Sequence, residues 1–317
     1  MKIKVLAVTA MLALSALLSA CDSGTSGNST PSSGSSSGSG EKRPIVISSK
    51  NFTEEEILGQ IYALALSAAG IPVKTNMNLG TSDIAQAVLV KGGAADGIDL
   101  YPEYTSTGLR DILKDDTQTD PQKIYDAVKK GYEDKFKITW LDKSPMNDTQ
   151  AMVTTKEVSD KLGIKSLDDL CAKADQVTVA AVAEFKDRPD ALPLLQKTYG
   201  GCKFKEIKVF EPNLRYKALL DKQVDVAQAF STDGEIAGNN LVLLADPKGY
   251  GLPYNVAPVV RDDVLAMYPN IADVLNKISP KLTNEEISAL NWKVAGQNGQ
   301  PRDIAKAWLA VNGFLPK

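Results

Sequence analysis

Three sets of residues in this chain invite a chemical reading: its cysteines, its carboxylates, and the aromatic and basic side chains that recognise ions. Histidine is absent from all 317 residues. That removes the commonest general base and metal ligand, and with them Ser-His-Asp, Cys-His and His-zinc chemistry. Asp233 and Asp246 stand in turn-like strings with no carboxylate at a spacing suited to acid-base work. Gly92-Gly93 and Gly200-Gly201 lie outside any Gly-x-Gly-x-x-Gly context, so they read as turns or helix ends rather than phosphate loops. These residues argue against an enzyme and imply neither a metal nor a cofactor. A surface hydrolase on this scaffold would have to work without histidine.

The cysteines point to a compartment. Cys21 closes the string Leu18-Ser19-Ala20-Cys21, a pattern that bacteria read as a lipidation site. Lys2 and Lys4 precede it, followed by an apolar stretch, Val5 to Leu18, too short and wrongly flanked for a spanning helix. Residues 1–21 therefore read as a lipoprotein signal that leaves the body outside the cytoplasm, tied to a membrane by lipid. An ordinary cleaved signal with a chance cysteine is the alternative. Asp22 resembles an inner-membrane retention signal if the host is Gram-negative. Residues 22–42, mostly Ser and Gly, cannot bury enough apolar surface to offset their ordering entropy. They read as a tether of about 20 residues with a reach of roughly 25 Å. Outside the cytoplasm, Cys171 and Cys202 favour pairing as a disulfide, with two separately buried thiols as the alternative.

The elements that must position any site come from the pattern of the remaining body. Its 43% apolar content is that of a folded globular protein, and 36 Lys plus Arg against 39 Asp plus Glu gives no field for nucleic acid. Pro44 to Ser48 reads as a strand, and Thr53 with Glu56 as a capping box before a helix whose apolar face carries Ile57, Leu58, Ile61, Leu64, Ala65 and Ala68. A strand near Val73 to Met77, a helix from Asp83 to Lys91 and a strand from Gly97 to Leu100 continue a β-α-β-α-β succession, which implies a largely parallel sheet. The pattern restarts at Ala151, with a helix capped at Ser166 by Asp169, strands at Val177 to Val182 and Ile207 to Phe210, and a further strand from Val224 to Phe230. Helices in the tail are capped at Thr283 and ended at Gly313. Two restarting α/β units place a ligand cleft between two lobes.

Several strings, in order, carry a resemblance. They are Ser49-Lys50-Asn51-Phe52-Thr53-Glu54, Asp99 to Thr107, Asn147-Asp148-Thr149, Arg188-Pro189-Asp190, Phe230 to Gly234, and Pro253-Tyr254 with Pro258 and Arg261. Together they resemble the glycine betaine, choline and carnitine-binding proteins of osmoprotectant ABC importers, the OpuAC-like family. The resemblance implies an α/β, two-lobed type II periplasmic-binding-protein fold with two hinge crossovers. One lobe would be 43–147 plus 256–317 and the other 148–255. It also implies a monomer that captures a small zwitterionic solute and hands it to an ABC permease.

Carried over residue by residue, the resemblance puts Tyr104, Phe230 and Tyr254 around a ligand's trimethylammonium head, where ring quadrupoles attract the cation. Lys50, Thr107 and Arg188 fall at its carboxylate end, and the Asp148 backbone carbonyl at the methyl groups. The hinge string departs from the family pattern: Gln150 stands where the family has a tyrosine wall. Phe230 replaces a more usual tyrosine, and Ser106 a glycine. Gln150 offers a donor and an acceptor. It leaves room for a different polar amine or an amino-acid-like solute, such as a histidine betaine, and implies that Gln150→Tyr would tighten trimethylammonium binding. A sensor lobe that signals to a receptor is a further alternative.

Overall fold

The computed structural model describes residues 42–115, 118–211 and 214–315. Cys21, the signal and most of the tether lie outside the described residues. Two five-stranded mixed sheets organise the body, one in each lobe. The first contains β1 (Ile45–Ser48), β2 (Val73–Asn76), β3 (Leu100–Tyr104), β4 (Ile138–Trp140) and β10 (Val256–Arg261), in the order β2-β1-β3-β10-β4. The second contains β5 (Gln150–Thr154), β6 (Thr178–Ala181), β7 (Glu206–Val209), β8 (Val226–Phe230) and β9 (Val242–Leu243), in the order β7-β6-β8-β5-β9. β1 runs parallel to β2 and β3, as the β-α-β succession requires, while β10 returns antiparallel between β3 and β4. The chain thus leaves the first sheet after β4 and re-enters it at β10. The antiparallel bridge of Asn147 to Asn255 joins the two crossings side by side.

Strand periodicity sets the cores, because alternate side chains take opposite faces. Ile45, Ile47, Val256 and Val260 pack on one face of the first sheet; Tyr101, Ala257 and Val259 pack on the other. In the second sheet Val179, Ala181 and Val226 face one core, and Ala180, Ala227 and Ala229 the other. Burying each large aliphatic side chain contributes about 1.5–3 kcal/mol. Cys171 and Cys202 are joined in a disulfide.

Two local expectations change. The third strand starts at Leu100 and runs through Tyr104, so the Tyr101-Pro102-Glu103-Tyr104 string is strand rather than loop. A proline inside a strand argues against a central position because it lacks a donor. Here Pro102 stands opposite Pro258, and the Pro258 carbonyl turns away to accept from the Leu141 N–H just past the end of β4. Neither ring therefore removes a bond from the β3–β10 ladder. The helix Thr53–Ala68 starts after Phe52 with no side-chain cap. Its acidic first turn is used elsewhere, since Glu55 accepts from the Lys50 backbone N–H at 3.0 Å. The other two caps form: Ser166 and Asp169 make a reciprocal capping box, and Thr283 accepts from the Glu286 N–H.

Candidate functional site

A cleft of about 1120 Å³ opens between residues of the two sheets. Three features of the first lobe converge on it. β3 ends at Tyr104, the β1-to-helix loop brings Lys50 and Phe52, and the first turn of Thr53–Ala68 brings Glu54. From the second lobe come Arg188 and Asp190, Phe230 at the end of β8 with Thr232 and Asp233 beyond it, and Arg215 and Tyr216 on the helix Leu214–Leu220. The crossings contribute Asp148 and Tyr254. Of the residues expected from the sequence, Lys50, Tyr104, Thr107, Asp148, Arg188, Phe230 and Tyr254 all line this cleft.

Gln150 is not brought to it. It is 4% exposed at the start of β5 and accepts from Gln228 Nε2 at 3.3 Å. Gln228 in turn accepts from Arg215 Nη1 at 3.1 Å. The amide therefore stands behind the wall and steadies an arginine, because the pairing of Gln150 with Phe230 in the β5–β8 ladder places it inside the sheet.

The first-lobe side is packed around a network of buried ions. Lys50 Nζ lies 2.6 Å from Glu103 Oε1 and 3.4 Å from Glu55 Oε1, all three side chains being nearly inaccessible to water. The same ammonium sits 4.4 Å from the centre of the Tyr104 ring and 5.8 Å from that of Phe52. Lys50 and Tyr104 therefore meet at one place and cannot hold opposite ends of a small zwitterion. Burial would strip Lys50 of its proton, but Glu103 and Glu55 outweigh it and raise its pKa. Burial, partly offset by Lys50, pushes Glu55 up to about 8. Tyr101 donates to Glu103 Oε2 at 2.8 Å and closes the network.

Between the lobes lies an acidic floor. Tyr104 donates its hydroxyl to Glu54 Oε1 at 2.6 Å, and Thr232 donates to Asp148 Oδ1 at 2.7 Å. Neither carboxylate has a salt-bridge partner among the described residues. Burial raises the pKa of Glu54. Burial, followed by the charges of Glu54 and Asp233, holds Asp148 well above the usual carboxylate range. A cation placed here would favour the charged form of both carboxyls and bring their pKa values back down.

Two arginines of the second lobe already have partners. Arg188 forks onto Asp190 at 2.6 and 2.9 Å, and Tyr254 donates to the same carboxylate at 2.9 Å. Arg215 lies 2.7 Å from Asp233, which also accepts from Tyr216 and from the Phe230 backbone N–H. The Arg215 guanidinium is 5.9 Å from the centre of the Phe230 ring. Ser106 ties the return crossing down by donating to the Pro253 carbonyl at 2.5 Å.

The sequence reading missed Glu54, Arg215, Tyr216, Asp233 and Asn291 as cleft residues. Glu54 and Asp233 stand in strings that were singled out, but one was read as part of a helix start and the other as a turn. Nothing in spacing marked Arg215 or Asn291.

Two α/β lobes joined by adjacent crossings, with aromatic rings and buried carboxylates facing a ligand-sized cleft, define a solute-binding protein of the periplasmic-binding class. The chain belongs to the family of substrate-binding domains of ABC-type glycine betaine transport systems, whose family model matches residues 43–311. It is a transport component, not an enzyme, and proteins of this kind work outside the cytoplasm.

It is 31% identical over 284 residues to the glycine betaine-binding protein YehZ of Escherichia coli, covering 86% of this chain and 91% of that protein. It is also 31% identical over 277 residues to the ergothioneine transport permease/ergothioneine binding protein EgtU of Helicobacter pylori. That match covers 86% of this chain but only 48% of the relative, so the chain spans about half its length. A crystal structure titled as a glycine betaine/carnitine/choline ABC transporter superposes with a TM-score of 0.79 at 27% identity, covering 85% of this chain and 99% of the other.

Proposed function

We propose that the cleft captures a small quaternary-ammonium or betaine-like osmoprotectant and that the closed protein delivers it to an ABC permease. The observation that carries this reading is the pair of buried carboxylates in the cleft, Glu54 bonded to the Tyr104 hydroxyl and Asp148 to Thr232, with the rings of Tyr104, Phe52, Phe230 and Tyr254 lining the same space. An alkylated ammonium has no N–H to donate, so it is held by ring faces and by the field of nearby carboxylates. Each desolvated ring contributes about 0.5–2 kcal/mol. Lys50 already sits 4.4 Å from the centre of the Tyr104 ring, so a ligand cation would share that ring's field with it. The lobes, 43–147 with 256–317 and 148–255, turn about the crossings at Asp148 and Asn255. A lipid on Cys21 and the tether hold the monomer near its permease.

A second reading has one observation in its favour. Lys50, Arg188 and Arg215 are each matched by a protein carboxylate, so a ligand carboxylate must compete for them. A polar amine without an anionic end meets no such competition. Calorimetry at neutral pH with glycine betaine, carnitine, choline and ergothioneine, followed by polyamines and basic amino acids, separates the readings. Micromolar or tighter binding of a trimethylammonium compound supports the first. Binding confined to amines with N–H donors replaces it with the second, and no binding across the panel overturns both.

A further inference from the structure

Between β8 and β9 the second lobe carries a short helix, Gly234–Gly238, that packs on the first-lobe helix Asn284–Ala295. The latter belongs to the first lobe because it also packs on Thr53–Ala68 and Pro301–Val311. The contact is close enough to require glycine at two positions one turn apart. A Cβ at Gly234 would overlap the Trp292 backbone, and a Cβ at Gly238 would overlap the Trp292 indole. Ser288, one turn earlier, donates to the Asp233 carbonyl at 3.2 Å.

Beside Trp292 lies Asn291, buried and lining the cleft. Its Nδ2 donates to Glu54 Oε2 at 2.9 Å and to the Thr232 carbonyl at 2.9 Å. The amide orientation is fixed by chemistry, since a flipped amide would set its oxygen against a carboxylate and a carbonyl. Thr232 uses its hydroxyl on Asp148 and its carbonyl on Asn291. A hydrogen-bonded path therefore runs from Tyr104 through Glu54, Asn291 and Thr232 to Asp148, crossing from one lobe to the other at a single amide.

We propose that Asn291 is the positioning residue of a latch in which the glycine-lined seam with Trp292 holds the lobes together and the Asn291 amide ties that seam to the two ligand-facing carboxylates. Ligand occupancy and closure are thereby made one event, because the residues that meet the ligand also complete the seam. The inference takes the cleft as the ligand site but depends on no particular ligand.

The test uses the body from Lys42 onward, a single compact unit. Small-angle scattering compares wild type, Gly238→Ala, and Gly238→Ala with Trp292→Ala. The alanine should enlarge the particle, and removing the indole that it strikes should return the wild-type radius. Stopped-flow release of glycine betaine should quicken at least tenfold in Asn291→Asp, an isosteric change that places oxygen against two acceptors, with the association rate nearly unchanged. Wild-type scattering from Gly238→Ala, or a double variant that stays expanded, overturns the seam. Wild-type release from Asn291→Asp overturns the role of Asn291. If wild type binds none of the solutes above, the proposed function fails while the scattering comparison still decides the latch.

Discussion

The two walls of the cleft hold their charges on different terms. On the first-lobe wall Lys50 is 4% exposed and its partners Glu55 and Glu103 are 0% exposed, so the ions are locked in protein. On the second-lobe wall Arg188 is 38% exposed and Asp190 15%, with solvent within reach. A buried pair costs several kcal/mol to break, because the surviving ion cannot be rehydrated, whereas a solvated pair contributes about 0–1 kcal/mol. The first wall is therefore a fixed template. On the second wall Arg215, 5% exposed, stays locked on Asp233, but the Arg188–Asp190 pair can rearrange when a ligand arrives, and this asymmetry suits a protein that must close over a solute and later release it.

The largest break in this comparison is Lys50→Ala. It leaves Glu103 buried without a cation and should cost about 3–5 kcal/mol of stability, measured by denaturant unfolding. Loss below about 1 kcal/mol would mean that the first wall is as solvated as the second.

Next is the proton on Glu55. Its folded pKa lies near 8, above the ordinary carboxylate value. The folded chain therefore keeps a proton that the unfolded chain releases, and stability falls as pH rises from the ordinary carboxylate range to about 8. The slope is at most about 1.4 kcal/mol per pH unit. Melting curves across that window should show it, and Glu55→Gln should flatten it.

Gln150→Tyr comes third. The hinge pattern alone predicts a new aromatic wall and tighter binding. The structure instead places Gln150 inside the β5–β8 ladder against Gln228, so a larger ring overpacks the sheet and should cost about 1–3 kcal/mol of stability without improving trimethylammonium affinity. Tighter binding with an unchanged melting temperature would restore the wall.

Tyr104→Ala removes the ring and the hydroxyl that serves Glu54, and should weaken binding about tenfold or more by calorimetry, since a decade corresponds to about 1.4 kcal/mol. Arg188→Ala is the mildest, with a stability change within about 1 kcal/mol. A larger loss would make the second wall a fixed template too.

What the sequence made legible follows from where local rules govern. Alternation and helix periodicity placed strands of both sheets to within a few residues, and Ser166 and Thr283 were readable as caps because capping is decided by neighbours in the chain. Thr53 was not, because the helix begins one residue earlier than the Thr53–Glu56 spacing implies, with the Phe52 carbonyl accepting from the Glu56 N–H and Thr53 already inside the first turn. Tyr101 to Tyr104 hid as a strand because the fit of Pro102 depends on a partner proline in β10. The ordered strings led to seven of the cleft residues, but no string could show that Lys50 rests on Tyr104 or that Arg188 is already forked onto Asp190. Asn291 gave no signal, since its two acceptors come from opposite ends of the fold.

The most direct measurement is a crystal structure of the protein grown with a quaternary-ammonium solute identified by calorimetry. The account predicts the ammonium within about 6 Å of the Tyr104 ring centre, over the Glu54 and Asp148 carboxylates. An ammonium seated elsewhere, with those carboxylates still bonded only to Tyr104, Asn291 and Thr232, would contradict it.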